Sequence, residues 1–314
     1  MIALLAPGQG AQAPGMLSPW LELDGAEQRV RTWSDATGLD LVRLGTTATE
    51  EEIKDTSVTQ PLVVALSLIA AEQLHARLSL PSEAPVTGHS VGELAAAALA
   101  NVLSYDDAVS LAGVRGREMA AACALEPTGM SAVLGGDPDD VVAHLDQLGL
   151  DPANRNGAGQ IVAAGRRTAL EELSEDPPDG ARVRPLPVAG AFHTRFMAPA
   201  REALDDYARE IKTVDADRPL LSNADGAIMS GATEVMQRLV EQVTRPVRWD
   251  SCMAALAERG VTATVELPPA GTLSGMVRRE LKGTKTVALK TPDDLDKVAD
   301  LLAEHGRDDS GSNA

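Results

Sequence analysis

Apolar residues enter this chain in two rhythms: short unbroken runs edged by proline and glycine, and longer stretches in which they recur every three or four positions. The opening run Ile2-Ala3-Leu4-Leu5-Ala6, closed by Pro7 and Gly8, has the continuous apolarity of a strand buried on both faces. Residues 16 to 55 alternate helical and turn-like pieces, with Glu50-Glu51-Glu52 in the first turn of a short helix. Thr59-Gln60-Pro61 then opens a helix through Leu74, threonine acting as the cap and proline standing in the first turn. Its apolar residues lie almost all round, which predicts burial. Pro81 and Pro85 break the chain before a short β-prone segment enters Gly88, and Leu94 to Ala100 follows as an alanine-rich helical run. Ser104 caps the next helix, which carries Asp106 and Asp107 in its first turn and reaches about Ala122.

The rhythm changes between Pro127 and Ala189. Strands are predicted over Met130–Leu134, Gln160–Ala164 and Val183–Val188, with helices over Pro138–Leu148 and Thr168–Leu173 and a further strand at Ala153–Arg155. This β-α-β-β-α-β order is the ferredoxin-like arrangement. It marks residues 127–189 as a small insert in a larger unit made of residues 1–126 and 190–314. In the second part of that unit, strands are expected at Leu220-Leu221, Thr264–Leu267 and Thr286–Leu289, and Pro246-Val247-Arg248-Trp249 begins a helical segment. Strands alternating with helices predict an α/β fold with a mostly parallel sheet. The polar tail 306–314 is expected to be disordered.

Composition narrows the partners. Of 314 residues, 44% are hydrophobic but only 2% aromatic, so the core is built from small aliphatic side chains. A formal net charge of -18, from 46 acidic against 28 basic residues, argues against nucleic acid and anionic membrane as partners. The longest apolar run, Leu62 to Ala71, is shorter than the ~20 residues of a membrane-spanning helix. Met1 to Pro7 lacks the basic start and the length of a signal peptide. Cys123 and Cys252 show no C-x-x-C spacing and read as reduced core thiols of a cytoplasmic protein.

Chemistry concentrates at Gly88-His89-Ser90-Val91-Gly92-Glu93, where a strand, a sharp turn and a helix start follow one another. In a nucleophile elbow the serine occupies a strained turn, and flanking glycines leave room for its backbone. The helix start behind Ser90 brings unpaired N–H groups and a positive dipole end toward an oxyanion. Gly8-Gln9-Gly10-Ala11-Gln12 is either a plain glycine turn or a second source of converging N–H groups. On the helix after Ser104, Ala108, Leu111, Ala112, Arg115, Met119 and Ala122 share one stripe, which places Arg115 on an apolar face while Arg117 lies on the polar side. A buried Arg115 needs an anionic partner, either a carboxylate of the core or one brought by a substrate. Of five histidines, His75 and His144 sit among polar neighbours, His305 is near the tail and His89 abuts the elbow; His193, in Gly190-Ala191-Phe192-His193-Thr194, remains as the base. Asn154-Arg155-Asn156-Gly157 either points an amide into a cleft or is an ordinary turn.

Taken in register, Gly8 to Gln12, Gly88 to Glu93, Arg115, Gly190 to Thr194 and Pro246 to Trp249 resemble the malonyl-CoA:acyl carrier protein transacylase family along nearly the whole chain. The resemblance implies an α/β-hydrolase-like large domain with a ferredoxin-like insert. It implies that Ser90 takes malonyl from coenzyme A as an ester, that His193 moves the proton, and that the Gln9 and Val91 N–H groups form the oxyanion hole. Arg115 would hold the malonyl carboxylate, with Gln9, Phe192 and Asn156 also at the substrate, and the backbone carbonyl of Arg248 would orient the histidine. No metal or bound cofactor is implied; coenzyme A enters as the substrate thioester, and the acceptor is acyl carrier protein. Phe192 resembles the malonyl-selective pattern, serine being usual there in branched-chain relatives, and Arg245 departs from an expected asparagine. Carrier proteins of this kind are acidic, so docking on an acidic chain would need a local basic patch: Arg278, Arg279 and Lys282, or Arg166 and Arg167. Two other classes compete. A serine esterase or thioesterase on the same elbow would add an acid between Ser90 and the histidine, and an idle carrier-binding module would not need the Ser90 and His193 pair.

Overall fold

The computed structural model describes residues 1–305, so the tail expected to be disordered lies outside the described residues. Among the described residues, eleven strands form two sheets: β1 (Ile2–Ala6), β2 (Val86–Gly88), β3 (Thr128–Gly135), β4 (Asp151–Gly157), β5 (Gln160–Arg166), β6 (Ala181–Pro185), β7 (Leu220–Leu221), β8 (Ile228–Met229), β9 (Val247–Arg248), β10 (Ala263–Glu266) and β11 (Lys285–Ala288). The larger sheet runs β11-β10-β1-β2-β7-β8 and is parallel except for the β7–β8 pair. Its centre explains the unbroken apolar run. Ile2, Leu4 and Ala6 pack into the main core on one face, while Ala3 and Leu5 pack with Trp249, Met253 and Val277 on the other. A parallel strand covered on both sides has no polar face to show.

The helix expected at Thr59 starts at Thr56 and ends at Arg77. Asp55 is the cap, accepting from the Ser57 N–H at 2.8 Å, whereas the Thr59 hydroxyl donates to the Ile53 carbonyl inside the structure. Pro61 therefore sits within the helix, where its missing N–H leaves the Ser57 carbonyl without its helical donor. This is the one described helix long and apolar enough to cross a membrane, and 78% of its most apolar window is buried by the rest of the protein. Glu50 and Glu51 form a turn before a short 3-10 piece, Glu52–Lys54. The closing helix Leu295–His305 goes beyond the elements read from sequence; its Leu295, Val298 and Leu301 stripe covers the main core.

The smaller sheet runs β6-β3-β5-β4-β9. Helices Pro138–Gln147 and Arg167–Glu175 complete the β-α-β-β-α-β series and bury Val141, Leu145, Leu170 and Leu173 against it. The first four strands are antiparallel, the ferredoxin-like order. β6 stops at Pro185 instead of reaching Val188: Pro185 and Pro187 cannot donate to a ladder, and β6 is an edge. β9 comes from beyond the series and adds parallel to β4, pairing Val247 with Asn154 and Arg248 with Arg155. The segment expected to be helical from Pro246 is thus a strand first, and its helix is Trp249–Glu258. Two residues carry too little pattern to read as a strand; the free edge of β4 makes them one.

Candidate active site

β2 delivers the chain into the elbow. Ser90 stands at φ 54°, in the left-handed region that a side-chain-bearing residue rarely adopts. A Cβ on Gly88 would lie 2.1 Å from the Gly92 backbone, and one on Gly92 would lie 2.3 Å from the Ala6 carbonyl oxygen. Only glycine lets strand, turn and the following helix, Gly92–Leu99, approach this closely.

Across the turn, Ser90 Oγ is 2.7 Å from His193 Nε2. His193 also has positive φ, 60°, and is 3% exposed. Its Nδ1 is 2.8 Å from the main-chain carbonyl oxygen of Gln242, so Nδ1 carries the proton and Nε2 is left free to accept one from serine. That carbonyl corrects the expectation for Arg248. Arg248 lies in β9 and its side chain pairs with Asp250 at 2.9 Å. Gln242 instead opens a short 3-10 turn, Gln242–Thr244, after the helix Ala232–Glu241. Every residue has a backbone carbonyl, so no side-chain signal could single this one out. The histidine's partner is a carbonyl and not a carboxylate, and no acid completes a triad of the esterase kind among the described residues.

Arg115, on the helix Tyr105–Cys123, is 2% exposed, as its place on the apolar stripe implies. Its Nη1 donates to Gln60 Oε1 at 2.6 Å and its Nη2 to Gln242 Oε1 at 2.8 Å, with Ser90 Oγ at 3.3 Å. No carboxylate stands within salt-bridge distance among the described residues; two neutral amide oxygens hold the guanidinium in place at the serine. Burial lowers the Arg115 pKa to about 10, and the charge of Glu93 works against that fall. Burial, then the Arg115 charge, lowers His193 to about 3. The imidazole is therefore neutral at ordinary pH, the form a base requires.

Ser90, His193, Arg115 and Gln60 face a cavity of about 210 Å³ that Gln9, Val91, Asn156 and Phe192 also line. No other protein group engages the Gln9 or Val91 N–H among the described residues. Asn156 Oδ1 is 2.9 Å from His89 Nε2, and His89 packs edge-on to Trp249 with centroids 5.6 Å apart. Gln60, Gln242, Asn223 and Glu93 complete the site beyond what sequence reasoning assigned. Gln60 carried a signal akin to that of Arg115, a polar residue at a position expected to be buried, here on a helix apolar almost all round; Gln242 sits in an ordinary-looking Glu-Gln-Val-Thr segment. The basic candidates lie outside the cavity: Arg278 and Arg279 are exposed, Lys282 follows them, and Arg166 pairs with Glu126 at 3.2 Å beside Arg167. No group of three or more metal-ligating side chains occurs among the described residues.

Residues 4–307 match the family model described as an acyl transferase domain. The chain belongs to the acyl transferase domain family. It is 60% identical over 302 residues to a malonyl CoA-acyl carrier protein transacylase of Mycobacterium tuberculosis, covering 96% of this chain and all of that one. The Bacillus subtilis protein of the same name is 32% identical over 311 residues, 96% of this chain and 98% of its own length. The crystal structure of MCAT from Mycobacterium tuberculosis superposes with a TM-score of 0.92 at 59% identity, covering 95% and 99% of the two chains. A type II PKS acyl-carrier protein in complex with its malonyl-transacylase, PlMCAT:AntF, aligns at a TM-score of 0.89 and 28% identity over 96% and 99% of the chains. In family terms, the α/β large part and ferredoxin-like small part seen here are the common architecture.

Proposed function

We propose that this acyl transferase moves malonyl from malonyl-CoA to the pantetheine thiol of an acyl carrier protein through a malonyl-serine ester, supplying extender units for chain building. The observation that carries this reading is a buried guanidinium 3.3 Å from the hydroxyl of a serine already hydrogen-bonded to a neutral histidine. Ser90 Oγ attacks the thioester carbonyl while its proton passes to His193 Nε2. The oxyanion draws on the Gln9 and Val91 N–H groups. Collapse of the tetrahedral adduct breaks the C–S bond, and His193 returns the proton to the leaving thiolate. The carrier thiol then gives its proton to His193 and attacks the ester, restoring the Ser90 hydroxyl. Arg115 binds the malonyl carboxylate bidentately, and Phe192 and Asn156, which line the same cavity, limit room for a branched acyl group.

The reaction uses only the chain's own residues, with coenzyme A as substrate. We place it in the cytoplasm, where coenzyme A thioesters and free thiols such as Cys123 and Cys252 coexist. Residues 127–189 are assigned to the small insert and the rest of the chain to the catalytic part. Intact mass after mixing with malonyl-CoA tests the reading: wild type should gain one malonyl group and Ser90→Ala none. An adduct that persists on Ser90→Ala would place the nucleophile elsewhere.

A further inference from the structure

The catalytic sequence leaves unused a buried acid that touches the residues of the site. Glu93, just after the elbow, is 1% exposed and accepts the Asn223 N–H at 2.8 Å and the Gln242 side-chain N–H. Those two partners hold the site. Asn223 Oδ1 accepts the Ser90 N–H at 2.8 Å, and its Nδ2 donates to the Gly88 carbonyl at 2.7 Å. Gln242 presents its Oε1 to Arg115, and its Nε2 also faces the Ser90 carbonyl at 3.0 Å and Asn223 Oδ1 at 3.2 Å. Its main chain receives His193.

A primary amide has a donor end and an acceptor end, and the two ends of Gln242 do different work. The donor end faces three acceptors, of which Glu93 is the one that can be charged. The acceptor end is left for Arg115. We infer that Glu93 is a positioning residue: as a buried acceptor it fixes the sense of the Gln242 amide, which aims the Arg115 guanidinium and thereby sets the preference for an acyl group bearing a carboxylate. The inference rests on the function proposed above. It assigns Glu93 no contact with substrate. The groups that bear on its charge are the Asn223 N–H, the Gln242 amide, Arg115, Arg238 and the Cys252 thiol; burial holds that thiol at about 12, hence neutral. Burial raises the Glu93 carboxyl to about 7, and the two hydrogen bonds and two arginines favour the carboxylate against it.

Glu93→Gln separates this role from simple packing. With its oxygen kept on the Asn223 N–H, the new amide turns N–H toward N–H at Gln242, and relief requires Gln242 to rotate and point a donor at Arg115. Single-turnover acylation should then lose on the order of 10-fold or more in kcat/KM for malonyl-CoA, chiefly through KM, while acetyl-CoA changes only a few-fold. Glu93→Asp, which keeps the charge, should recover part of the malonyl-to-acetyl ratio. Equal losses for both substrates in a folded Glu93→Gln would reduce Glu93 to a structural role and overturn the inference. Should that variant not fold, Glu93→Asp decides: a shortened acceptor must lower the ratio below wild type, and an unchanged ratio overturns the inference equally. Failure of wild type to take malonyl at all would instead remove the underlying function, so the two failures are distinct.

Discussion

At the scale of single residues, the site is a set of buried polar groups whose charge states are pulled in opposite directions. His193 is depressed to about 3, below its unfolded value near 6.5, so on acidification the unfolded chain takes up a proton that the native site refuses. Its contribution to stability is present above pH 6.5 and declines as the pH falls toward 3. Glu93 is raised to about 7 from 4.5, so the native state holds the extra proton, and its contribution is present below pH 4.5 and declines as the pH rises through 7. Thermal unfolding at pH 7.5 and pH 5 should show the Tm of His193→Asn gaining on wild type as the solution is acidified, and that of Glu93→Gln falling further behind. Parallel shifts in the two variants would mean that one of these environments is misassigned.

Arg115 is the residue whose removal should speak most directly to substrate choice. Truncation to alanine takes away the proposed partner of the malonyl carboxylate and leaves the Gln60 and Gln242 oxygens without a donor. Transfer from malonyl-CoA should weaken by about 3–5 kcal/mol, the cost of breaking a buried pair, while an uncharged acetyl group meets a more tolerant pocket. Lysine should rescue only part, since a point charge cannot span two amide oxygens and a carboxylate as a planar fork does. A malonyl-to-acetyl ratio of kcat/KM that stays put in Arg115→Ala would make it a structural arginine.

At the scale of elements, strand, elbow and helix are joined with almost no clearance, and this makes their junction the least forgiving place in the chain. Gly92→Ala would drive a Cβ to 2.3 Å from the Ala6 oxygen, which is backbone of a central strand and has nowhere to go. Loss of acylation together with a large drop in Tm is expected. Ser104→Ala is the contrasting case: the serine accepts from the Asp107 N–H at 3.0 Å at the exposed start of a helix, and losing that cap costs about 1 kcal/mol. Urea unfolding and single-turnover acylation measured on both variants check the contrast; comparable activity losses would show the elbow to be more compliant than its contacts imply.

For the whole molecule, a net charge of -18 sets the terms on which an acidic carrier can approach. We propose that docking relies on a local basic group, with Arg278 and Arg279, both exposed at the end of the helix Thr272–Glu280, as the candidates; Arg278 Nε also donates to Thr286 Oγ1 at 2.9 Å. The double substitution Arg278→Glu with Arg279→Glu should raise KM for carrier protein several-fold, more so at low salt, and leave acylation by malonyl-CoA unchanged. Equal damage to both half-reactions would exclude this surface. The second large-scale feature is β9, two residues of the larger part that extend the smaller sheet directly before Trp249 and its helix. It ties the sheet bearing Asn156 to the helix packed behind His89.

Sequence by itself determined whatever is written locally or periodically. The unbroken run of β1, the β-α-β-β-α-β series, the glycines around Ser90 and the apolar stripe that encloses Arg115 all follow from neighbours a few positions apart, where sterics and helix or strand period act directly. Tertiary structure alone decided the partners. Gln242 and not Arg248 carries the histidine, because the acceptor is a backbone carbonyl, and which carbonyl reaches His193 depends on where a 3-10 turn from 49 residues downstream is packed. Likewise Glu93 meets Gln242, 149 residues away, Arg115 meets two amides instead of an acid, and β9 becomes a strand. Each is a contact between segments distant in the chain, and its chemistry comes into being only when folding removes the water between them.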